Sequence, residues 1–288
     1  MNQKVLQTLE FDKIRERLSA CATTEPGRTR CLAMEPMTDI SRIRLAVTET
    51  NDACGRIRRC GNLSFSGARD ITASLRRLEV GSNLTIREFV SIQGLLQAAS
   101  RAKAYGRDDN GRFSDEEREP DSLEGYFTII QPLTPLAEEL DRCIASEDDL
   151  YDSASPRLHQ IRRNMAGINN RIHAQLNSLL ASHKDKLQDS VVTMRNGRYC
   201  LPVRAEYKNQ LSGMVQDQSS SGSTYFIEPM AVIKLNNEMR ELEIAEQKEI
   251  EVILSNLSSQ AAAYTSQLEM DLKALSELDY IFARAVYS

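Results

Sequence analysis

The chain has no tryptophan, only 13 glycines, and aromatic residues make up just 6% of its 288 positions. No stretch approaches the roughly 18 to 20 apolar residues that a membrane span requires. The amino-terminal segment MNQKVLQTLEFDKIRERL is amphipathic, has acids among its polar residues, and lacks the apolar centre of a secretory signal. A cytoplasmic chain with no membrane partner is therefore expected. Six cysteines stand at 21, 31, 54, 60, 143 and 200, and no two have the C-x-x-C spacing. His159, His173 and His183 do not cluster with them, which argues against a metal site. In a reducing compartment these cysteines read as free thiols in helix cores. No Gly-Lys dipeptide occurs, so there is no P-loop. No G-x-S-x-G elbow surrounds Ser219–Ser221.

What is present is ordinary for a globular protein, at 41% hydrophobic and 27% charged residues, and the length suits two domains. The net charge of −5 argues against a generic polyanion binder. Charge is segregated, however. Ten bases lie between Pro156 and Gln210, against the acids Asp185, Asp189 and Glu206. Beyond Pro229, glutamates at 238, 241, 243, 246, 249 and 251 outweigh Lys234, Arg240 and Lys248. Opposite charge on two neighbouring helices favours their pairing, at about 0.2 to 1 kcal/mol per exposed pair.

Helical spacing runs through Leu6, Leu9, Ile14 and Leu18. Glu25-Pro26-Gly27 and Glu35-Pro36 read as turns. Asp39 or Ser41 caps a helix through Ile43, Val47 and Ala53. Residues 60–67 read as a loop. Two further helices are expected over 70–79 and 85–105, the latter opened by a Thr85/Glu88 capping box. The polar run 107–122 reads as an exposed loop of disordered composition, and 133–144 as another helix. Ser155 and Pro156 are a helix start. From there Leu158, Ile161, Met165, Ile168, Ile172, Leu176, Leu179, His183 and Leu187 form one stripe. Leu257, Ala261, Tyr264, Leu268, Leu272, Leu275, Leu278 and Phe282 form another. With no Gly or Pro after Pro229, a single helix of about fifty residues, about 75 Å long, is expected. Against it runs a first arm of about thirty-four residues. Two such arms joined at one end predict an antiparallel coiled-coil hairpin.

Between the arms the pattern changes period. Tyr199, Leu201 and Val203 alternate with Arg198 and Arg204. Asn196-Gly197 is a two-residue hairpin signal, Pro202 points to an edge strand, and Ser219-Ser220-Ser221-Gly222 marks another turn. The expected fold is mainly α: a helical core, plus a long helical hairpin carrying a small antiparallel β tip at about 190–229.

Three stretches carry a family resemblance: DSASPRLHQIR, GRYCLPVRAEYKNQLSGMVQDQSSSGSTYFIEP and LNNEMRELEIAEQKEIEVIL. With LEFDKIRERLSACATTEPGR near the start, they resemble the MutS-two family, the bacterial MutS paralogues that carry an Smr nuclease domain. The resemblance implies a lever-type helical core at 1–155, joined by 271–288, and arms and clamp at 156–270. It also implies that the chain is an amino-terminal portion of a longer protein. The ATPase domain, with its ATP and magnesium, and the Smr nuclease would lie in the part that is absent. Implied partners are double-stranded or branched DNA, in suppression of recombination, and the ribosome or its RNA, in rescue of collided ribosomes. The parent would be a homodimer and this portion a monomer or weak dimer. The triplet Phe226-Ile227-Glu228 matches the mismatch-reading signature of MutS, but its strand-to-helix context is wrong for that role.

No histidine, acid run or serine stands where a base would orient a nucleophile, so the chain is expected to be non-catalytic by itself. The candidate nucleic-acid-binding residues are Arg195, Arg198, Arg204, Lys208, Asn209 and Gln210, with Ser219, Ser220 and Ser221. Phosphate contacts from such groups give salt-sensitive affinity with little sequence information. Tyr199, Tyr207, Tyr225 and Phe226 read as the core of the tip rather than a stacking platform. A structural coiled-coil module with a protein partner is the alternative.

Overall fold

The computed structural model describes residues 3–107 and 121–288, so most of the polar run expected as a loop lies outside the described residues. The protein is mostly helical with one small antiparallel sheet. In chain order the helices are α1 (Gln3–Thr8), α2 (Phe11–Cys21), α3 (Glu25–Leu32), α4 (Ile40–Cys60), α5 (Thr72–Glu79), α6 (Ile86–Arg107), α7 (Glu124–Ile129), α8 (Thr134–Cys143) and α9 (Pro156–Ser182). Strands β1 (Thr193–Arg195), β2 (Arg198–Arg204), β3 (Gly213–Gln218) and β4 (Thr224–Pro229) follow, then α10 (Met230–Ala262) and α11 (Thr265–Tyr287). Two compact units result: Met1–Tyr151 with Leu254–Ser288, and Asp152–Ile253. Residues 254–270, assigned to the arms above, thus group with the first unit.

In the first unit the helix starts follow the local chemistry. The Asp39 carboxylate accepts the Ser41 and Arg42 amides at the head of α4. At α6 the Thr85 amide donates to Glu88 at 2.8 Å and the Glu88 amide to the Thr85 hydroxyl at 3.4 Å, a closed capping box. The apolar stripe of α11 packs against α2 to α7. Leu268, Leu275, Leu278 and Phe282 are buried there. Phe282 meets Phe65 and Tyr105 edge-on at 5.8 and 5.7 Å.

Three readings are corrected here. The amino-terminal helical pattern is split, because Glu10 takes a left-handed conformation (φ 51°) between α1 and α2. Glu25-Pro26-Gly27 is not a turn but the first turn of α3: Thr24 caps it by accepting the Gly27 amide at 3.0 Å, with Pro26 in the position where its missing N–H costs nothing. The expected fifty-residue helix is interrupted after Ala262. There the Ala263 and Tyr264 amides bond three residues back, to Gln260 and Ala261, and the tightened turn ends α10 without Gly or Pro.

Asp271 of α11 is buried, and burial pushes its carboxyl above the usual carboxylate range. Its Oδ1 accepts the Gln131 amide at 3.0 Å and the Gln267 side-chain amide at 2.8 Å, while Oδ2 has no hydrogen-bond partner among the described residues. A folded-state pKa above the unfolded one means that proton uptake favours folding. This contribution is complete below the ordinary aspartate pKa and is lost as pH rises through the raised value. The stability of the wild type minus that of Asp271→Asn should therefore fall across that window in a series of pH-dependent urea titrations. A difference that stays flat refutes the assignment.

In the second unit, Ser155 caps α9 by accepting the Leu158 amide at 2.9 Å, with Pro156 in the first turn. The helix ends at Ser182, so the first arm has 27 residues rather than the thirty-four expected. A 3-10 turn follows at Lys184–Lys186. Arg157 reaches Glu249 at 3.4 Å and Arg162 reaches Glu246 at 2.7 Å. Partner numbers fall as the others rise, so α9 and this part of α10 are antiparallel neighbours joined by the opposite charges seen in the sequence.

The sheet order is β1-β2-β4-β3. Asn196 and Gly197 both take positive φ, 51° and 72°, as a type I′ hairpin demands. Tyr199, Leu201 and Val203 on β2 join Tyr225 and Ile227 on β4 in one cluster with Ile172 and Leu176 of α9 and Val232 and Leu235 of α10. Pro202 lies on an inner strand, not an edge. Its carbonyl accepts the Gln188 amide at 2.8 Å, away from β4, so the absent N–H falls on that same side and costs the β2–β4 ladder nothing. Cys200 sits buried in β2, in a strand rather than in a helix core.

Candidate functional site

The candidate residues all lie on or beside the sheet of the second unit, but the structure treats them differently. Glu228 is wholly buried at the end of β4. Arg198 donates to it at 2.6 Å, the Asn236 amide at 2.8 Å and the Gln216 amide at 2.7 Å. The other arm of the Arg198 guanidinium donates to Asn237 at 2.7 Å. A buried carboxylate with three donors is a satisfied network, and Arg198 is held inside it. The Phe226-Ile227-Glu228 triplet is thereby structural, since its glutamate faces inward.

Arg195 lies over the Phe226 ring at 4.0 Å and meets Asp217 at 3.3 Å. The neighbouring Asn196 side chain donates to the Gln216 carbonyl at 2.9 Å. The β1–β2 turn is thus tied to β3 by two contacts. Lys208 sits over the Tyr225 ring at 4.2 Å, and Asn209 and Gln210 are exposed. Arg204 is exposed at the end of β2, with no ion pair among the described residues.

The serine turn is closed by the Gly222 amide donating to the Ser219 carbonyl at 2.8 Å, with Gly222 at φ 71°. The Ser219 hydroxyl accepts the Thr224 amide at 3.1 Å, so that serine is partly committed. Ser220 and Ser221 are exposed, and the Ser221 hydroxyl is 2.8 Å from that of Ser223.

Burial, with the Glu228 charge adding to it, pushes the Cys200 thiol up to about 11. It is a packing group, not a nucleophile at neutral pH. His183 is the half-buried residue that ends α9, and His173 packs edge-on against Tyr199 at 5.2 Å. Among the described residues no group of three or more His, Cys, Asp or Glu is placed to hold a metal ion. No described helix is long and apolar enough to cross a membrane.

The first unit has a cleft of about 960 Å³ bordered by Met34, Met37, Leu45, Ile129 and Met270. Near its floor Glu49 accepts from Tyr126 at 3.1 Å and from Arg284 at 3.0 Å. Burial and the Glu49 charge push the Tyr126 hydroxyl up to about 12. None of the sequence-predicted site residues lines this cleft. Sequence reasoning missed the two lysines of the turn after α9, Lys184 and Lys186. They carried only the general basic bias, because their nearness to Arg204 is set by a bridge between Leu187 and Val203.

No family model matches the chain. Among individual proteins, an endonuclease MutS2 of Agathobacter rectalis is 50% identical over 99% of this chain and 36% of the relative. One from Lachnoclostridium phytofermentans is 47% identical over the same shares. A more distant one, from Bacillus velezensis, is 36% identical over all of this chain and 36% of the relative. The chain thus spans about a third of the length of the curated relatives it matches.

Proposed function

Because this chain belongs to the MutS2 family over 99% of its length, we propose that it serves as the lever and clamp portion of a MutS-type DNA-binding protein. On this reading the first unit is the lever-type core. Helix α9 and the facing part of α10 are the arms of a coiled-coil hairpin, and the sheet is the clamp tip that meets nucleic-acid backbone by shape and charge. The observation that carries it is Arg204, exposed at the end of β2 and without an ion pair among the described residues, beside Lys208 and the serine turn. Such an end has affinity for phosphates. Tyr199, Tyr207 and Tyr225 are half-buried and pack against the core, and Lys208 lies over the Tyr225 ring, which favours duplex or structured partners over bare single strands that need open stacking faces.

The portion is non-catalytic by itself in this reading. Its relatives are named endonucleases, and that chemistry, with ATP and magnesium, is assigned to segments outside the matched third. Suppression of recombination on branched DNA and rescue of collided ribosomes are the two proposed settings, with the longer parent protein acting as a homodimer around the substrate. Binding of the chain to branched DNA and to ribosomes should be measured in parallel across a salt series. The expected result is affinity for at least one that falls linearly in log–log form with salt, and that Arg204→Glu with Lys208→Glu abolishes. Affinity insensitive to both salt and charge reversal would favour the protein-binding coiled-coil module instead.

A further inference from the structure

Six bases lie between residues 184 and 208, and their surroundings divide them in two. Arg198 is bound to the buried Glu228 and to Asn237. Arg195 is stacked on Phe226 and paired with Asp217. Both charges are balanced within the fold. Lys184, Lys186, Arg204 and Lys208 have no carboxylate within ion-pairing distance among the described residues, and Lys184 and Arg204 are exposed.

Backbone contacts gather these four at one end of the sheet. The Leu187–Val203 bridge and the Gln188 amide on the Pro202 carbonyl (2.8 Å) lay the chain after α9 antiparallel to β2. Lys186 therefore stands opposite Arg204 in register. The Ala205 amide donates to the Ser223 carbonyl at 3.0 Å, bringing the serine turn to the same end. The 3-10 turn Ala205–Tyr207 then carries Lys208 back over Tyr225. The acids of these segments, Asp185 and Glu206, are exposed and form no ion pair with the four. Two segments distant in sequence thus present four positive charges, without an ion-pair partner among the described residues, beside the serine turn.

We propose that Lys184, Lys186, Arg204 and Lys208 form the phosphate-contacting surface, and that Arg195 and Arg198 are positioning residues that shape the tip without touching the ligand. The proposal rests on the nucleic-acid reading above and sharpens it. A phosphate backbone fits because the four groups are donors only, Lys184 and Arg204 are exposed, and the Tyr225 ring beside them is covered by Lys208 rather than open to a base.

The test uses the full chain and a duplex DNA probe, with affinity measured over a salt series. Lys184→Gln, Lys186→Gln, Arg204→Gln and Lys208→Gln should each reduce the slope of log affinity against log salt by about 0.9, one released counterion per lost contact. Arg195→Gln and Arg198→Gln should leave the slope unchanged and lower the thermal midpoint. Arg195→Gln carries this arm if Arg198→Gln does not fold, because the Arg195–Asp217 pair is solvent-exposed. Equal slope changes for Arg195→Gln, or unchanged slopes for the four, would overturn the assignment while leaving nucleic-acid binding intact. No binding by the wild type at any salt would overturn the functional reading, and this assignment with it.

Discussion

Glu228→Ala is expected to destabilise the second unit by about 3 kcal/mol, the low end of what removing one partner of a buried charge network costs. The carboxylate is completely buried and takes hydrogen bonds from Arg198, Asn236 and Gln216 at 2.6 to 2.8 Å. Its loss leaves the Asn236 amide, itself 3% exposed, without that acceptor. The Arg198 side chain is 30% exposed and can turn part of its charge to water, which is why the low end applies. The readout is the alkylation rate of Cys200, measured by peptide mass spectrometry in urea. That thiol is fully buried and held protonated in the intact sheet, so it reacts when the sheet opens. Glu228→Gln should fall between, because it keeps one acceptor oxygen but turns an amide group toward existing donors. If Glu228→Ala shifts the stability by less than about 1 kcal/mol, the network does not hold the tip together.

The second large effect belongs to the first unit. Asp279 of α11 is 2% exposed and accepts the Thr23 amide at 3.0 Å, the Thr24 amide at 2.8 Å and the Thr24 hydroxyl at 2.6 Å. It is a charged clasp on the amino terminus of α3, where the helix dipole favours a negative charge. The clasp is tight: a Cβ on Gly27 would lie 2.2 Å from the Asp279 carboxylate. Asp279→Ala should cost about 3 kcal/mol, from the lost charge-assisted bonds and the buried donors left behind. The loss should be local. Amide exchange should accelerate over residues 22–34, while the centre of α11, buried against other helices, keeps its protection. Unchanged exchange at Thr24 and Arg28 in Asp279→Ala would show that α3 is held by its apolar contacts alone.

Much of this architecture is written locally. Asp39, Thr85 with Glu88, and Ser155 are caps by their chemistry and by their distance from the apolar stripe of the helix each one opens. Asn196-Gly197 admits the positive φ values that a tight hairpin needs. The apolar stripes of α9 and α11 identify their buried faces, and the switch to period two between them marks the sheet. Glu25-Pro26-Gly27 was ambiguous because the same residues suit a turn and a helix start. The choice is made by Asp279, about 255 positions away. The break at Ala263 and Tyr264 has no Gly or Pro to announce it.

The candidate site shows the same division more sharply. Alternation places Arg198 and Arg204 on one side of β2, and in sequence they are equivalent bases on a short strand. In the folded chain Arg198 meets Glu228, thirty residues on, while Arg204 is exposed and pairs with no acid among the described residues. By itself the sequence determined most of the helices, the Asn196-Gly197 β-hairpin, the apolar faces and the kinship with MutS2, because each depends on residues within a few positions of one another or on their order. Only the tertiary structure decided which charges are neutralised and which remain for a partner. Pairing and desolvation depend on distance in space, and for these residues that distance is set by strands and helices far apart along the chain.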